Sequence, residues 1–79
     1  TEVYLTPLEF DLLRMLVRHA GKVLTHDMLL AWVWGDAYRG SNQYLHIYIG
    51  RLRQKLAAAR GMKIVTYPGV GYLLQRTDG

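Results

Sequence analysis

The sequence contains no cysteine. Disulfide scaffolds and cysteine-based zinc sites are thereby excluded, and a small domain that folds without disulfides suits a reducing compartment. Proline occurs only at Pro7 and Pro68. No run approaches the roughly 18 apolar residues of a membrane span. The opening TEVYLTPLEF has neither the basic nor the apolar region of a signal peptide. The expectation is a cytoplasmic protein with no membrane partner. Acidic residues are missing from the whole of residues 37–77.

That last absence shapes the charge. The chain carries a formal +4, but residues 1–36 are net −2 and residues 37–77 are net +7. The cations of the second stretch are Arg39, Arg51, Arg53, Lys55, Arg60, Lys63 and Arg76. Such asymmetry points to a polyanion partner, most simply nucleic acid. The competing explanation is a solubilising surface with uneven charge. With 79 residues, 51% of them hydrophobic, the chain is a folded domain and not two. A chain this short buries only about 60–65% of its unfolded surface, so its apolar stripes go into one small core.

The elements follow from local chemistry. EVYLT alternates weakly and reads as a short N-terminal strand. TPLE starts a helix: Thr6 caps, Pro7 suits the first position and Glu9 completes a capping box. Phe10, Leu13, Val17 and Ala20 then fall at helical spacing, supported by Leu12 and Leu16, and Gly21 fits past the end. KVL reads as an apolar link. Thr25 caps a second helix, with Asp27 in its first turn. That helix buries Leu29, Leu30, Val33 and one tryptophan, and Gly35 ends it. GDAYRG is a loop. The third helix is expected from about Ser41, its cap, to about Ala59. Leu45, Ile49, Leu52, Leu56 and Ala59 lie within about 80° of one another on its wheel, forming one core stripe. MKIVTY and YLLQR, joined by PGVG, make a β-hairpin. The fold class is α+β: a winged helix-turn-helix with a three-helix core, a C-terminal hairpin wing and a short N-terminal strand.

Opposite the third helix's core stripe lie Gln43, Ile47, Gly50 and Gln54, flanked by Tyr44 and Arg51 on one side and His46 and Arg53 on the other. This face has amides, a guanidinium, an aliphatic group and bare backbone, and no carboxylate. Arg forks onto guanine, Gln onto adenine, and an aliphatic group meets a thymine methyl. Arg53, Lys55 and Arg60 suit phosphates, and the Tyr48 hydroxyl could reach one too. Gly50 costs helix stability, which suggests that its backbone approaches a groove wall closely. A catalytic reading finds little. His19, His26 and His46 fall on three different helices with no metal-ligand spacing. Ser41 lacks a nucleophile elbow, and Gly69 and Gly71 are too few for a phosphate-binding fingerprint. No catalytic residue, cofactor or metal is expected.

LTPLEFDLLRMLVRHAGKVLTHDMLLAWVWG, followed by YIGRLRQKL and TYPGVGYLL, resembles the OmpR/PhoB class of winged-helix effector domains from bacterial two-component response regulators. YLHIYIGRLRQKL is most similar to the KdpE-type branch, which controls potassium-uptake genes. The resemblance implies head-to-tail dimers on direct-repeat DNA and an upstream phosphorylated receiver domain, outside this chain. It places base contacts on Gln43, Tyr44, Ile47, Gly50 and Arg51. Phosphate contacts fall on Thr25 or His26, on Tyr48 and Arg53, and in the wing on Thr66 and Tyr72. The loop segment Asp36, Ala37, Tyr38 and Arg39 corresponds to one that in some members touches RNA polymerase. Two departures stand out. Gln43 and Gly50 replace arginines common in the class, and Pro68 stands where many members place a basic minor-groove residue.

The function expected is sequence-specific binding of double-stranded DNA by a transcription regulator. The main alternative is a winged-helix protein-interaction module, against which the acid-free stretch argues. RNA binding lacks a surface patterned for base stacking.

Overall fold

The computed structural model describes residues 4–59 and 61–77. The elements run α1 (Pro7–Arg18), β1 (Leu24–Thr25), α2 (His26–Val33), a 3₁₀ turn (Asp36–Tyr38), α3 (Asn42–Leu56), β2 (Met62–Tyr67) and β3 (Gly71–Arg76).

Helix α1 begins as its sequence dictates. The Thr6 hydroxyl accepts from the Glu9 amide at 3.3 Å, and the Thr6 amide donates to Glu9 Oε1 at 3.0 Å. This reciprocal pair satisfies two otherwise orphaned helix-start donors. The inward stripe differs from the one expected. Glu9, Leu12 and Leu16 are buried, Leu13, Val17 and Ala20 are partly buried, and Phe10 is 53% exposed. At about 100° per residue, Phe10 sits about a third of a turn off the line through Glu9, Leu12 and Leu16.

The second and third helices pack as a helix-turn-helix. Leu29 and Leu30 of α2 are buried, Val33 and Trp34 pack partly against the core, and Trp32 stays 44% exposed, stacked on His19. In α3, Leu45, Ile49, Leu52 and Leu56 are buried, as their spacing predicts. The helix stops at Leu56, and Ala57–Ala59 form a turn in which the Ala59 amide donates to the Leu56 carbonyl. Ser41 is the N-cap residue, yet its hydroxyl caps nothing; its carbonyl accepts from the Leu45 amide instead.

The sheet has three antiparallel strands in the order β1-β3-β2. Its third strand is the finding local sequence did not reveal: β1 is formed by the last residue of KVL and by Thr25, where Leu24 pairs with Tyr72 and Thr25 with Gly71. A Cβ at Gly71 would lie 1.9 Å from the Leu24 carbonyl oxygen, so only glycine admits this pairing. Of the strand expected in EVYLT, Tyr4–Thr6 are not strand, and Glu2 and Val3 lie outside the described residues. Thr6 is already engaged as the α1 cap. The wing turn is tight: Pro68 and Gly69 (φ +75°) sit between the Tyr67 carbonyl and the Val70 amide that donates to it. The Val70 carbonyl accepts from the His26 amide, which ties the wing tip to the start of α2.

Candidate nucleic-acid interface

With one side of α3 anchored in the core, the opposite side faces outward. Gln43, His46, Arg51 and Gln54 are exposed, Ile47 is 48% exposed, and Gly50 is half-buried with open space where a Cβ would stand. The sequence-predicted face is thus assembled as one outward strip.

Tyr44 and Tyr48 are half-buried beside it, in an aromatic cluster. Trp34 meets Tyr44 and Tyr48 edge-on at 5.3 and 5.1 Å, and the two tyrosines meet at 5.2 Å. Tyr38, from the turn before α3, lies 5.7 Å from Tyr44. The Arg51 guanidinium stands 5.1 Å over the Tyr48 ring. The Tyr48 hydroxyl titrates above the usual tyrosine value, chiefly because the Tyr44 hydroxyl hydrogen-bonds with it. Trp34 Nε1 is buried without a hydrogen-bond partner. The sequence gives the four aromatics, but not that they converge across the α2–α3 turn.

The cations divide by partner. Arg51 has no hydrogen-bond or ion-pair partner among the described residues. Lys63 and Arg76 are exposed, and Arg60 lies outside the described residues. Arg53, by contrast, reaches across to the wing. Its Nε and Nη2 donate to the Ile64 carbonyl at 3.2 and 2.9 Å, and Nη2 also donates to Thr66 Oγ1. Because Thr66 Oγ1 accepts there, its own hydroxyl proton points elsewhere and is free to donate outward. Lys55 is engaged with α1. Its ammonium pairs with Glu9 Oε1 at 2.5 Å, and Glu9 is 2% exposed. Lys55, expected from sequence to meet a phosphate, thus also balances a buried carboxylate. Glu9, read as a cap alone, also ties α1 to α3, a link that a separation of 46 positions conceals.

Tyr72 is likewise engaged inside the fold. It is 2% exposed, with its hydroxyl 3.4 Å from His46 Nδ1 and its ring edge-on to His26 at 5.6 Å. Burial raises its phenol pKa. From this position it contacts both His26 and His46. Thr25 remains available: its hydroxyl oxygen caps α2 by accepting from Met28 at 3.1 Å, and the residue is exposed. Thr25, half-buried His26 and the start of α3 line a groove of ≈ 490 Å³ closed by the wing turn at Gly69 and Val70. The Asp36–Arg39 segment is exposed, braced by an Arg39–Asp36 ion pair at 3.0 Å and by the Gly40 amide on Asp27 Oδ1. Among the described residues no group of three or more His, Asp or Glu could hold a metal ion, and no helix is long and apolar enough to cross a membrane.

A helix-turn-helix whose second helix presents an acid-free outer face, buttressed by a hairpin, defines a winged-helix domain of the kind found in transcription regulators. The chain belongs to the family described as "Transcriptional regulatory protein, C terminal", which matches residues 1–74. It is 51% identical over 73 residues to the KDP operon transcriptional regulatory protein KdpE of Escherichia coli, covering 90% of this chain and 32% of that protein. It is 44% identical over 69 residues to the sensory transduction protein RegX3 of Mycobacterium tuberculosis, covering 85% of this chain and 30% of that protein. The chain thus spans about a third of the curated relatives it matches. Among solved structures, the DNA-binding domain of Klebsiella pneumoniae RstA, solved in complex with the RstA box, superposes with a TM-score of 0.80 at 36% identity. That match covers 92% of this chain and 74% of that one. The DNA-binding domain of Bacillus subtilis CssR gives a TM-score of 0.80 at 33% identity, covering 91% and 78%.

Proposed function

We propose that this domain binds double-stranded DNA sequence-specifically, as the effector part of a bacterial two-component response regulator, with α3 in the major groove. One observation carries the reading. The outer strip of α3 sets Gln43, Ile47 and Arg51 in solvent with no carboxylate, directly opposite a fully buried stripe. Base contacts are assigned to Gln43, Tyr44, Ile47, Gly50 and Arg51. Phosphate contacts are assigned to Thr25, His26, Tyr48, Arg53 and Thr66, with Lys63 adding to the field. The relatives named for the KDP operon support a role in controlling potassium-transport genes. Head-to-tail dimers on direct repeats, a preceding receiver domain and contact between Asp36–Arg39 and RNA polymerase belong to the same proposal. So does a cytoplasmic location. No chemical step is assigned to the domain.

Selection of bound duplexes from a random pool tests it. The expected result is an enriched site. Arg51→Ala should then weaken binding to that site by about 1–3 kcal/mol and relax one base step. Equal losses on selected and scrambled duplexes would remove Arg51 from base reading. A log-affinity against log-salt slope near zero would remove the phosphate contacts.

A further inference from the structure

Three side chains of α3 are cationic or aromatic, but they are held differently. Arg53 is fixed by hydrogen bonds to the wing. Tyr48 is fixed by rings: Trp34 at 5.1 Å and Tyr44 at 5.2 Å meet it edge-on. Arg51 is fixed by neither an acid nor a carbonyl among the described residues, only by the Tyr48 ring 5.1 Å beneath its guanidinium. An exposed arginine otherwise samples many rotamers, and ordering it on binding weakens the complex. Stacking on an aromatic face holds the cation while leaving all five N–H donors unengaged.

We propose that the Tyr48 ring is a positioning element for Arg51. The ring presets the guanidinium for base reading and so sets the domain's base discrimination without itself touching a base. This rests on the DNA-binding reading above. The ring is itself held by a chain of contacts. Trp34, at the end of α2, braces Tyr48, and Tyr38, in the turn before α3, braces Tyr44. Base discrimination therefore depends on the α2–α3 turn as well as on α3. Roles within Tyr48 separate: the ring positions Arg51, while the hydroxyl is the group proposed to meet a phosphate.

Two substitutions in the 79-residue chain divide these roles. Tyr48→Phe keeps the ring, and Tyr48→Leu removes it while keeping a good helix former. The measured quantity is the ratio of affinities for a selected duplex and a scrambled one. Tyr48→Leu is expected to lower that ratio about two- to fivefold, the range of an exposed cation–π contact. The loss should fall on the base step that Arg51→Ala relaxes, and should vanish in the Arg51→Ala background. Tyr48→Phe is expected to weaken both duplexes alike and keep the ratio. Independent, multiplying losses from Tyr48→Leu and Arg51→Ala would overturn the proposal, as would a ratio that falls equally in Tyr48→Phe. A wild-type chain that bound all duplexes alike would overturn the DNA reading and this inference with it. Proton NMR of the free chain gives a test that needs neither DNA nor Tyr48→Leu. Arg51 side-chain protons should be shifted upfield by the ring in wild type and in Tyr48→Phe; random-coil positions in wild type would overturn the proposal.

Discussion

Arg53 of α3 holds Ile64 of β2: two of its N–H groups converge on one backbone carbonyl, at 3.2 and 2.9 Å. β2 lies at the edge of the sheet, so this carbonyl would otherwise face outward unpaired. The same guanidinium reaches Thr66, so one side chain of the reading helix ties two positions of the wing. Arg53→Ala should lower stability by about 1–2 kcal/mol, the range of hydrogen bonds to a charged group less the part still open to solvent. Arg53→Lys should restore only part of this, since an ammonium lacks the planar fork that sets two N–H groups on one carbonyl. Urea unfolding of the three chains measures it. Equal stability of wild type and Arg53→Ala would show that the other ties to the wing suffice without Arg53.

The Glu9–Lys55 pair predicts an acid sensitivity. The Lys55 ammonium, and then the Thr6 amide, hold the Glu9 carboxyl below the ordinary glutamate value. A depressed folded pKa contributes stability that is fully present above the unfolded value of 4.5 and is lost as pH falls through the folded one. Stability should therefore decline below about pH 4.5 in wild type, and this part of the decline should be absent in Glu9→Gln. Thermal melts from pH 7 to pH 3 decide it. Parallel curves for the two chains would place the acid sensitivity elsewhere.

Lys55→Met leaves a buried carboxylate without its cation. The expected cost is about 2–3 kcal/mol, below the value for fully enclosed pairs because Lys55 is partly in water. The slope of DNA affinity against salt should stay as in wild type, because Lys55 faces α1 and releases no counterion on binding. A slope reduced by about one phosphate contact would return Lys55 to the DNA surface.

Two glycines should respond oppositely to alanine. At Gly71 the new methyl would strike the Leu24 carbonyl, so Gly71→Ala should separate β1 from β3 and cost about 1–3 kcal/mol or more. At Gly50 the space is open and the backbone helical, so Gly50→Ala should stabilise the chain by about 0.5–1 kcal/mol. If the Gly50 backbone lies against a groove wall, the stabilised variant should bind DNA more weakly. Unchanged affinity would make Gly50 a tolerated weakness. Denaturation and duplex titration of both variants settle the pair.

Local chemistry made much of this molecule legible. Thr6, Pro7 and Glu9 start α1 as read, and the four- and three-residue steps from Leu45 to Leu56 fix both the buried stripe and the outward strip of α3. What stayed hidden depends on distant partners. β1 is two residues long and exists only because Tyr72 and Gly71 lie beside it. Phe10 looked like core because helical spacing tells which residues share a face, not which of two adjacent faces turns inward. Lys55 and Tyr72 have the chemistry of phosphate contacts, yet one is paired with Glu9 and the other is packed inside. Residue type and spacing identified the candidates, and only tertiary pairing shows which of them are also engaged inside the fold.

Cations already paired within the fold change how the domain should behave on the wrong DNA. Lys55 is neutralised by Glu9 and Arg39 by Asp36, so the polyelectrolyte seen by a random duplex is weaker than the count of lysines and arginines implies. Non-specific residence falls steeply as fewer phosphates are neutralised. A domain that grips arbitrary sequence lightly leaves it sooner, samples more of the chromosome in a given time, and relies on a few aligned side chains to stop.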